Sequence, residues 1–246
     1  MNNVTGMLVM QSRVFAPDVV PYRLIIAPLG TNLLKQALGF REASWNQENW
    51  DYVFQDGILE YQGTKIPIIW LGFNDRRIVI QVQGDSSAAG AAYSSVRAQL
   101  AKLSPDYQDP EPLLFSEETS CYARLDFAWP ALLSPVLVEQ VTRKINDLST
   151  EETELAVKGM TLRFTLGTMR KDSLLNDYGV TIFDQTVAIE PKVSVPLSEQ
   201  MYFTYSPCDS DTHLGLVAEL EASLSNKAKR SEQIKGKRRA QRKLRR

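Results

Sequence analysis

Ile66-Pro67-Ile68-Ile69-Trp70-Leu71-Gly72-Phe73, then Asn74-Asp75, then Arg77-Ile78-Val79-Ile80-Gln81-Val82-Gln83 is the stretch that decides the fold. The first run is apolar without interruption, which predicts a strand buried on both faces. The second alternates, with Ile78, Ile80 and Val82 on one side and Val79, Gln81 and Gln83 on the other. Successive side chains of a strand point to opposite faces, so this is a second strand. Asn74 and Asp75 both tolerate positive φ and predict a tight two-residue turn between the two strands. Gly84-Asp85-Ser86 then ends the hairpin and offers a helix cap. Ala88–Leu103 follows, rich in Ala, with Tyr93, Val96 and Leu100 at helical spacing. A hairpin followed by a helix is the unit of an α+β fold, in which strands are joined by hairpins and not by regular βαβ crossovers.

The same rhythm extends in both directions. Upstream, Met7–Phe15 and Tyr22–Ala27 read as strands separated by Pro17 and Pro21, and Leu33–Leu38 reads as a short helix ending at Gly39. Trp45–Trp50 is polar and reads as a loop or a helical turn. Downstream, Ser104–Leu113 holds Pro105, Pro110 and Pro112 with three acids. Such a stretch holds neither a helix nor a central strand, and reads as a linker. Beyond it, Cys121–Trp129, Met160–Leu166, Val180–Ile189 and Met201–Tyr205 read as strands. Ser134-Pro135 opens a helix with Val138, Val141, Ile145 and Leu148 as its buried stripe. Thr212 is placed to cap a last helix carrying Leu214, Val217, Leu220 and Leu224.

The expected fold is therefore α+β: antiparallel sheet with helices packed on one face. It is arranged either as two tandem sheet-plus-helix units, residues 1–109 and 110–226, or as one continuous sheet shared by both halves. No residue-level repeat decides between them. Residues 227–246 form a separate basic tail, read as disordered or as a frayed helical extension.

That tail is prepared by the charge arithmetic. The chain has 246 residues, 28 Lys+Arg and 29 Asp+Glu, a net charge of −1. Lys227, Lys229, Arg230, Lys235, Lys237, Arg238, Arg239, Arg242, Lys243, Arg245 and Arg246 fall in the last 20 residues beside one acid, Glu232, so the tail carries +10 and residues 1–226 carry −11. Ile234 and Leu244 are its only large apolar residues, too few for a core or for the apolar face of a membrane-surface helix. Like charge at this density repels itself and favours a polyanion, with affinity gained by counterion release and no reading of base sequence. The competing readings are contact with the acidic body, docking on an acidic partner protein, and a localisation or solubility role.

The catalytic inventory is poor. The single histidine, His213, would have to serve any hydrolase that needs an imidazole base. It closes the segment Cys208-Asp209-Ser210-Asp211-Thr212-His213. In an extended strand Asp209, Asp211 and His213 share one face, which suits a facial metal site. The plainer reading is a polar turn before a helix, with acids near its N-terminus. Gly84-Asp85-Ser86-Ser87 lies between strand and helix, but no Gly-x-x-x-x-Gly-Lys-Ser/Thr and no Gly-x-Gly-x-x-Gly occurs, and Asp85 would repel a phosphate. Glu117-Glu118 and Glu151-Glu152-Thr153-Glu154 read as solvated loop acids. Cys121 and Cys208 cannot supply a zinc ribbon and read as ordinary half-buried thiols in a reducing compartment. Trp70 and Trp129 read as packed; Trp45 and Trp50, among Asn, Gln and Glu, are the surface candidates.

No apolar run reaches the length of a spanning helix, and the start carries no secretory pattern. The expectation is a cytoplasmic, non-enzymatic interaction module or accessory subunit of a larger nucleoprotein assembly. It needs no cofactor, has a protein partner, and engages nucleic acid without sequence preference through its tail. The alternatives are a metal-dependent enzyme using Cys208–His213, and an assembly subunit whose tail docks on an acidic protein.

Overall fold

The computed structural model describes residues 2–46, 51–107, 110–126, 139–144, 161–166 and 185–225. The readings at Trp50, Trp129, Ser134-Pro135, Glu151–Glu154 and Lys227–Arg246 lie outside these residues. The fold is α+β. Nine strands form one antiparallel sheet: β1 (Asn2–Val14), β2 (Glu42–Asn46), β3 (Asp51–Tyr61), β4 (Thr64–Phe73), β5 (Arg77–Gln83), β6 (Leu114–Arg124), β7 (Leu162–Leu166), β8 (Gln185–Pro191) and β9 (Met201–Ser206), in the spatial order β2-β3-β4-β5-β1-β6-β9-β8-β7. Five α-helices are described: α1 (Tyr22–Ile26), α2 (Pro28–Leu38), α3 (Ser86–Leu103), α4 (residues 139–144) and α5 (residues 210–225).

The hairpin read from Ile66–Gln83 is β4–β5, with one difference in its turn. Asn74 and Arg77 pair across it through Asn74 N–H to Arg77 O at 3.0 Å, so the two-residue loop is Asp75-Arg76. Neither Asn74 nor Asp75 takes positive φ. Instead the Asn74 side-chain oxygen accepts from Arg76 N–H at 2.9 Å, the local bond by which Asn mimics a turn. The turn with both central residues at positive φ lies one connection earlier, at Gln62 (+49°) and Gly63 (+76°) between β3 and β4. Asp85 caps α3 as expected, its Oδ1 accepting from Ala88 N–H at 2.8 Å. Gly39, at φ +64°, closes α2 in the left-handed conformation that Gly adopts without a Cβ penalty.

Two readings are corrected. Tyr22–Ala27 is helical at residues 22–26. Tyr-Arg-Leu-Ile-Ile is too short for periodicity to separate helix from strand. Tertiary packing decides it: Ile25 is fully buried, and α2 turns back on α1 so closely that a Cβ at Gly30 would collide with the Leu24 carbonyl. Trp45 lies in strand β2, paired with Tyr52, and strand β3 beside it has no clean sequence signal. Asp56 takes φ +55° and the inward alternation slips there, with Val53 and Phe54 both buried before it and Gly57 and Leu59 after it.

Register defines two faces. A row crosses five strands through Ile68, Val82, Val9, Thr119 and Ser206, every member fully buried. It faces the helices. Where it runs through β4, β5 and β1 it is apolar and joins the core packed by α1–α3, including Phe54, Phe73, Leu34, Val96 and Leu100. Where it enters β6 and β9 it carries hydroxyls. A second, smaller core beneath α5 joins Ala123, Leu125, Ile189, Tyr202 and Val217. Helices α3 and α5 meet head to head: Ser86 N–H donates to Ser210 Oγ at 3.1 Å and Ser210 N–H to Ser86 Oγ at 2.8 Å. The Asp-Ser pairs 85–86 and 209–210 thus do the same job at two helix starts.

Candidate functional site

The segment Cys208–His213 is the start of α5. Asp209, not Thr212, is the cap: its Oδ1 accepts from Thr212 N–H at 2.9 Å, its Oδ2 from Thr212 Oγ1 at 2.7 Å, and His213 N–H donates to its carbonyl at 2.9 Å. These bonds hold the Asp209 carboxyl below its ordinary pKa. Asp211 is exposed and His213 fully buried. The segment is helical, not extended, so Asp209, Asp211 and His213 do not share a face. Among the described residues no group of three His, Cys, Asp or Glu side chains is placed to hold a metal ion.

His213 enters the hydroxyl-bearing part of the sheet. Its Nδ1 lies 2.6 Å from Ser206 Oγ, and its Nε2 lies 2.9 Å from Thr204 Oγ1 and 3.5 Å from Cys121 Sγ. Thr204 Oγ1 also lies 3.2 Å from Cys121 O, a pure acceptor; with the hydroxyl proton placed there, Nε2 is the nitrogen that carries the imidazole proton. Ser206 then donates to Nδ1 and takes the Cys208 thiol as its own donor at 2.9 Å. Both cysteines are free, Cys121 buried and Cys208 half-buried. Burial raises both thiols above their ordinary pKa. Burial also pulls His213 down to about 4 from its ordinary 6.5. A proton moved from Cys208 through Ser206 to His213 would therefore create two buried charges, which this site disfavours at both ends. The network is a satisfied polar core.

A pH dependence follows from the same burial. Between pH 6.5 and 4 the unfolded chain binds a proton at His213 that the folded chain does not. The contribution is complete above pH 6.5 and is lost as pH falls toward 4, by about 3 kcal/mol. Urea denaturation of the wild type and of His213→Gln at pH 7, 5.5 and 4 checks this. The wild type's stability relative to the variant falls across that range by about this amount. A difference that stays constant with pH would mean that folding leaves the imidazole at its ordinary pKa.

The opposite face of the sheet holds a cleft that no residue of a described helix lines. There a trough of about 1010 Å³ runs from Asp51 at the start of β3 across β4, β5, β1, β6, β9 and β8 to β7. The carboxylates of Asp51, Glu118 and Glu190 and the guanidiniums of Arg77 and Arg163 face it, with Trp70, Phe203 and Tyr205 between them. Trp70 is thus half-buried on this face and is not in the core; its Nε1–H donates to Gln81 Oε1 at 2.9 Å. The continuous apolar run misled because only Leu71–Phe73 is buried residue by residue, while Ile69 and Pro67 are exposed. Arg77 donates to Asp51 at 2.6 Å, and Asn74 Nδ2 to the same carboxylate at 2.8 Å. Arg163 donates to Glu190 at 3.0 Å. Burial and the neighbouring Glu118, which it bonds, push Tyr205 up. Glu118 therefore faces this trough, while its neighbour Glu117 accepts from Gln11 at 3.0 Å. Trp45 is exposed on β2 and packs edge-on against Tyr22 and Tyr52 at 5.9 and 5.8 Å between ring centres. No helix among the described residues is long and apolar enough to cross a membrane.

No protein-family model matches this chain, and no curated protein sequence matches it.

Proposed function

We propose that this protein is a cytoplasmic, non-enzymatic interaction module or accessory subunit of a nucleoprotein assembly, which engages nucleic acid without sequence preference through residues 227–246. The observation that carries the reading is the charge division: +10 in the last 20 residues against −11 in the rest. A polyanion is attracted to the first and repelled by the second, which confines contact to the tail. The burial of His213 between hydroxyls supports a non-enzymatic role, since it removes the chain's one imidazole from proton transfer at neutral pH. The folded part serves as the protein-contact body. Its two cores, one drawn mainly from residues before 110 and one mainly from residues after it, support treating residues 1–109 and 110–226 as two units sharing a sheet.

The test is deletion of residues 227–246. The truncated chain keeps its far-UV circular dichroism and its urea midpoint, and loses binding to duplex DNA or RNA of arbitrary sequence. Retention of full-length affinity by the truncated chain defeats the reading. A tagged pull-down with and without nuclease separates it from an assembly role: partners that survive nuclease treatment contact the protein directly.

A further inference from the structure

Sheet order and register repeat on either side of the β1–β6 pair. The order β3-β4-β5-β1 is matched, read from the other edge, by β7-β8-β9-β6, and every neighbouring pair is antiparallel. Along the chain β1, helix, β3, β4, β5 and α3 are followed by β6, α4, β7, β8, β9 and α5; β2 alone has no counterpart among the described strands. Backbone hydrogen bonds fix the correspondence residue by residue. Phe15 N–H donates to Arg76 O at 2.7 Å, from just past β1 to just before β5. Leu125 N–H donates to Gln200 O at 3.0 Å, from just past β6 to just before β9. Ala89 N–H donates to Asp85 O at 3.1 Å, and His213 N–H to Asp209 O at 2.9 Å. From these anchors Phe15 corresponds to Leu125, Val9 to Thr119, Ile78 to Tyr202 and Ile80 to Thr204, all of them buried. Leu71 stands opposite Ile80 as Ile189 stands opposite Thr204, and both are buried.

Val9 and Thr119 are not only equivalent but paired with each other across β1 and β6. The same is true of Ser86 and Ser210, each donating its N–H to the other's hydroxyl. Contacts of this kind, in which residue i meets j as j meets i, are what a two-fold axis produces. We propose that the chain is an isologous dimer joined into one polypeptide: two copies of one sheet-plus-helix unit, related by an axis through Val9–Thr119 and Ser86–Ser210, the second copy having exchanged an apolar core layer for the imidazole cluster. The proposal holds whether or not residues 227–246 bind nucleic acid. The layer is Ala89, Ile80 and Val82 in the first copy and His213, Thr204 and Ser206 in the second, every one buried. The exchange is complementary in volume. The first copy sets a methyl over two β-branched aliphatic side chains. The second sets an imidazole over two smaller hydroxyl residues, and the two ring nitrogens take up both hydroxyls. One space is thus packed in two ways. At these three positions the fold closes in the first copy without a polar side-chain atom, so the fold itself does not demand His213.

Transplanting the layer within the full-length protein tests the equivalence by urea denaturation. His213→Ala alone opens a cavity and strips both hydroxyls of a partner, and lowers the midpoint by about 1 M or more. His213→Ala with Thr204→Ile and Ser206→Val places the first copy's side chains at the equivalent positions, and regains about half of that loss or more. His213→Ala with Thr204→Val and Ser206→Ile adds the same side chains at exchanged positions, and stays below the matched set. A matched set no more stable than His213→Ala, unfolded where His213→Ala folds, or equalled by the exchanged set overturns the proposal. The axis has its own readout, which does not require any His213 variant to fold. Ser86→Ala and Ser210→Ala each remove one of two equivalent acceptors, so they lower the midpoint by similar amounts. A shift in one more than about twice that in the other overturns the two-fold relation.

Discussion

The affinity of the full chain for duplex DNA will fall by about a thousandfold or more between 50 and 200 mM monovalent salt. The size of the effect follows from counting phosphates. Each neutralised phosphate releases condensed counterions, so log affinity falls with log salt by about 0.9 per contact on B-form DNA. Eleven basic residues are available in 227–246. If about six to eight meet phosphates, the slope lies between about −5 and −7. Fluorescence anisotropy with a labelled duplex of arbitrary sequence, repeated at four or five salt concentrations, measures it. Duplexes of different sequence give superimposable lines, because phosphate contacts carry no base information. A slope shallower than about −2 would assign the binding to something other than this segment.

Phe54→Ala will cost about 3–5 kcal/mol of folding stability. Phe54 is fully buried on the helical face of β3. Its ring lies 5.4 Å from Phe40, 5.4 Å from Tyr52 and 6.0 Å from Phe73, in tilted or edge-on arrangements that add to the burial of area. Neighbours on the α2–β2 connection, on β3 itself and on β4 cannot all move in to fill the gap, which places the cost in the upper part of the range. In urea the midpoint falls while the slope of stability against denaturant stays near the wild-type value. Phe54→Leu, which keeps most of the volume, costs less than half as much. A loss below about 1 kcal/mol for the Ala variant would mean the aromatic cluster repacks freely. The substitution touches neither the trough nor the tail, so duplex affinity measured on folded protein stays unchanged.

Local order was legible wherever consecutive residues carry it. The alternation at Arg77–Gln83, the Asp85 cap and the helical stripe of Tyr93, Val96 and Leu100 all stand where they were read, because each depends on neighbours within one turn or one strand. Signals failed where a single backbone feature broke the period. Positive φ at Asp56 hid β3, and a five-residue apolar run at Tyr22–Ile26 carried too little periodicity to show a helix. The Asp209, Asp211, His213 spacing depended on an extended backbone, and the cap at Asp209 makes that backbone helical. The trough had no sequence signature, because its lining comes from eight strands that are distant along the chain.

The amino-acid sequence by itself determined the α+β class, the hairpin-and-helix unit, and the separation of an acidic body from a basic end. Those are properties of composition and of periods of two and about 3.6 residues, which short-range sterics and hydrogen bonding translate directly into local structure. Only the tertiary structure decided that β1 lies between β5 and β6, so that one sheet runs through both halves. It alone decided that Trp70 faces the trough and that His213 is sealed among Ser206, Thr204 and Cys121. Strand order and burial depend on contacts between residues up to about a hundred positions apart, and the free energy of removing side chains from water is settled only when those surfaces meet.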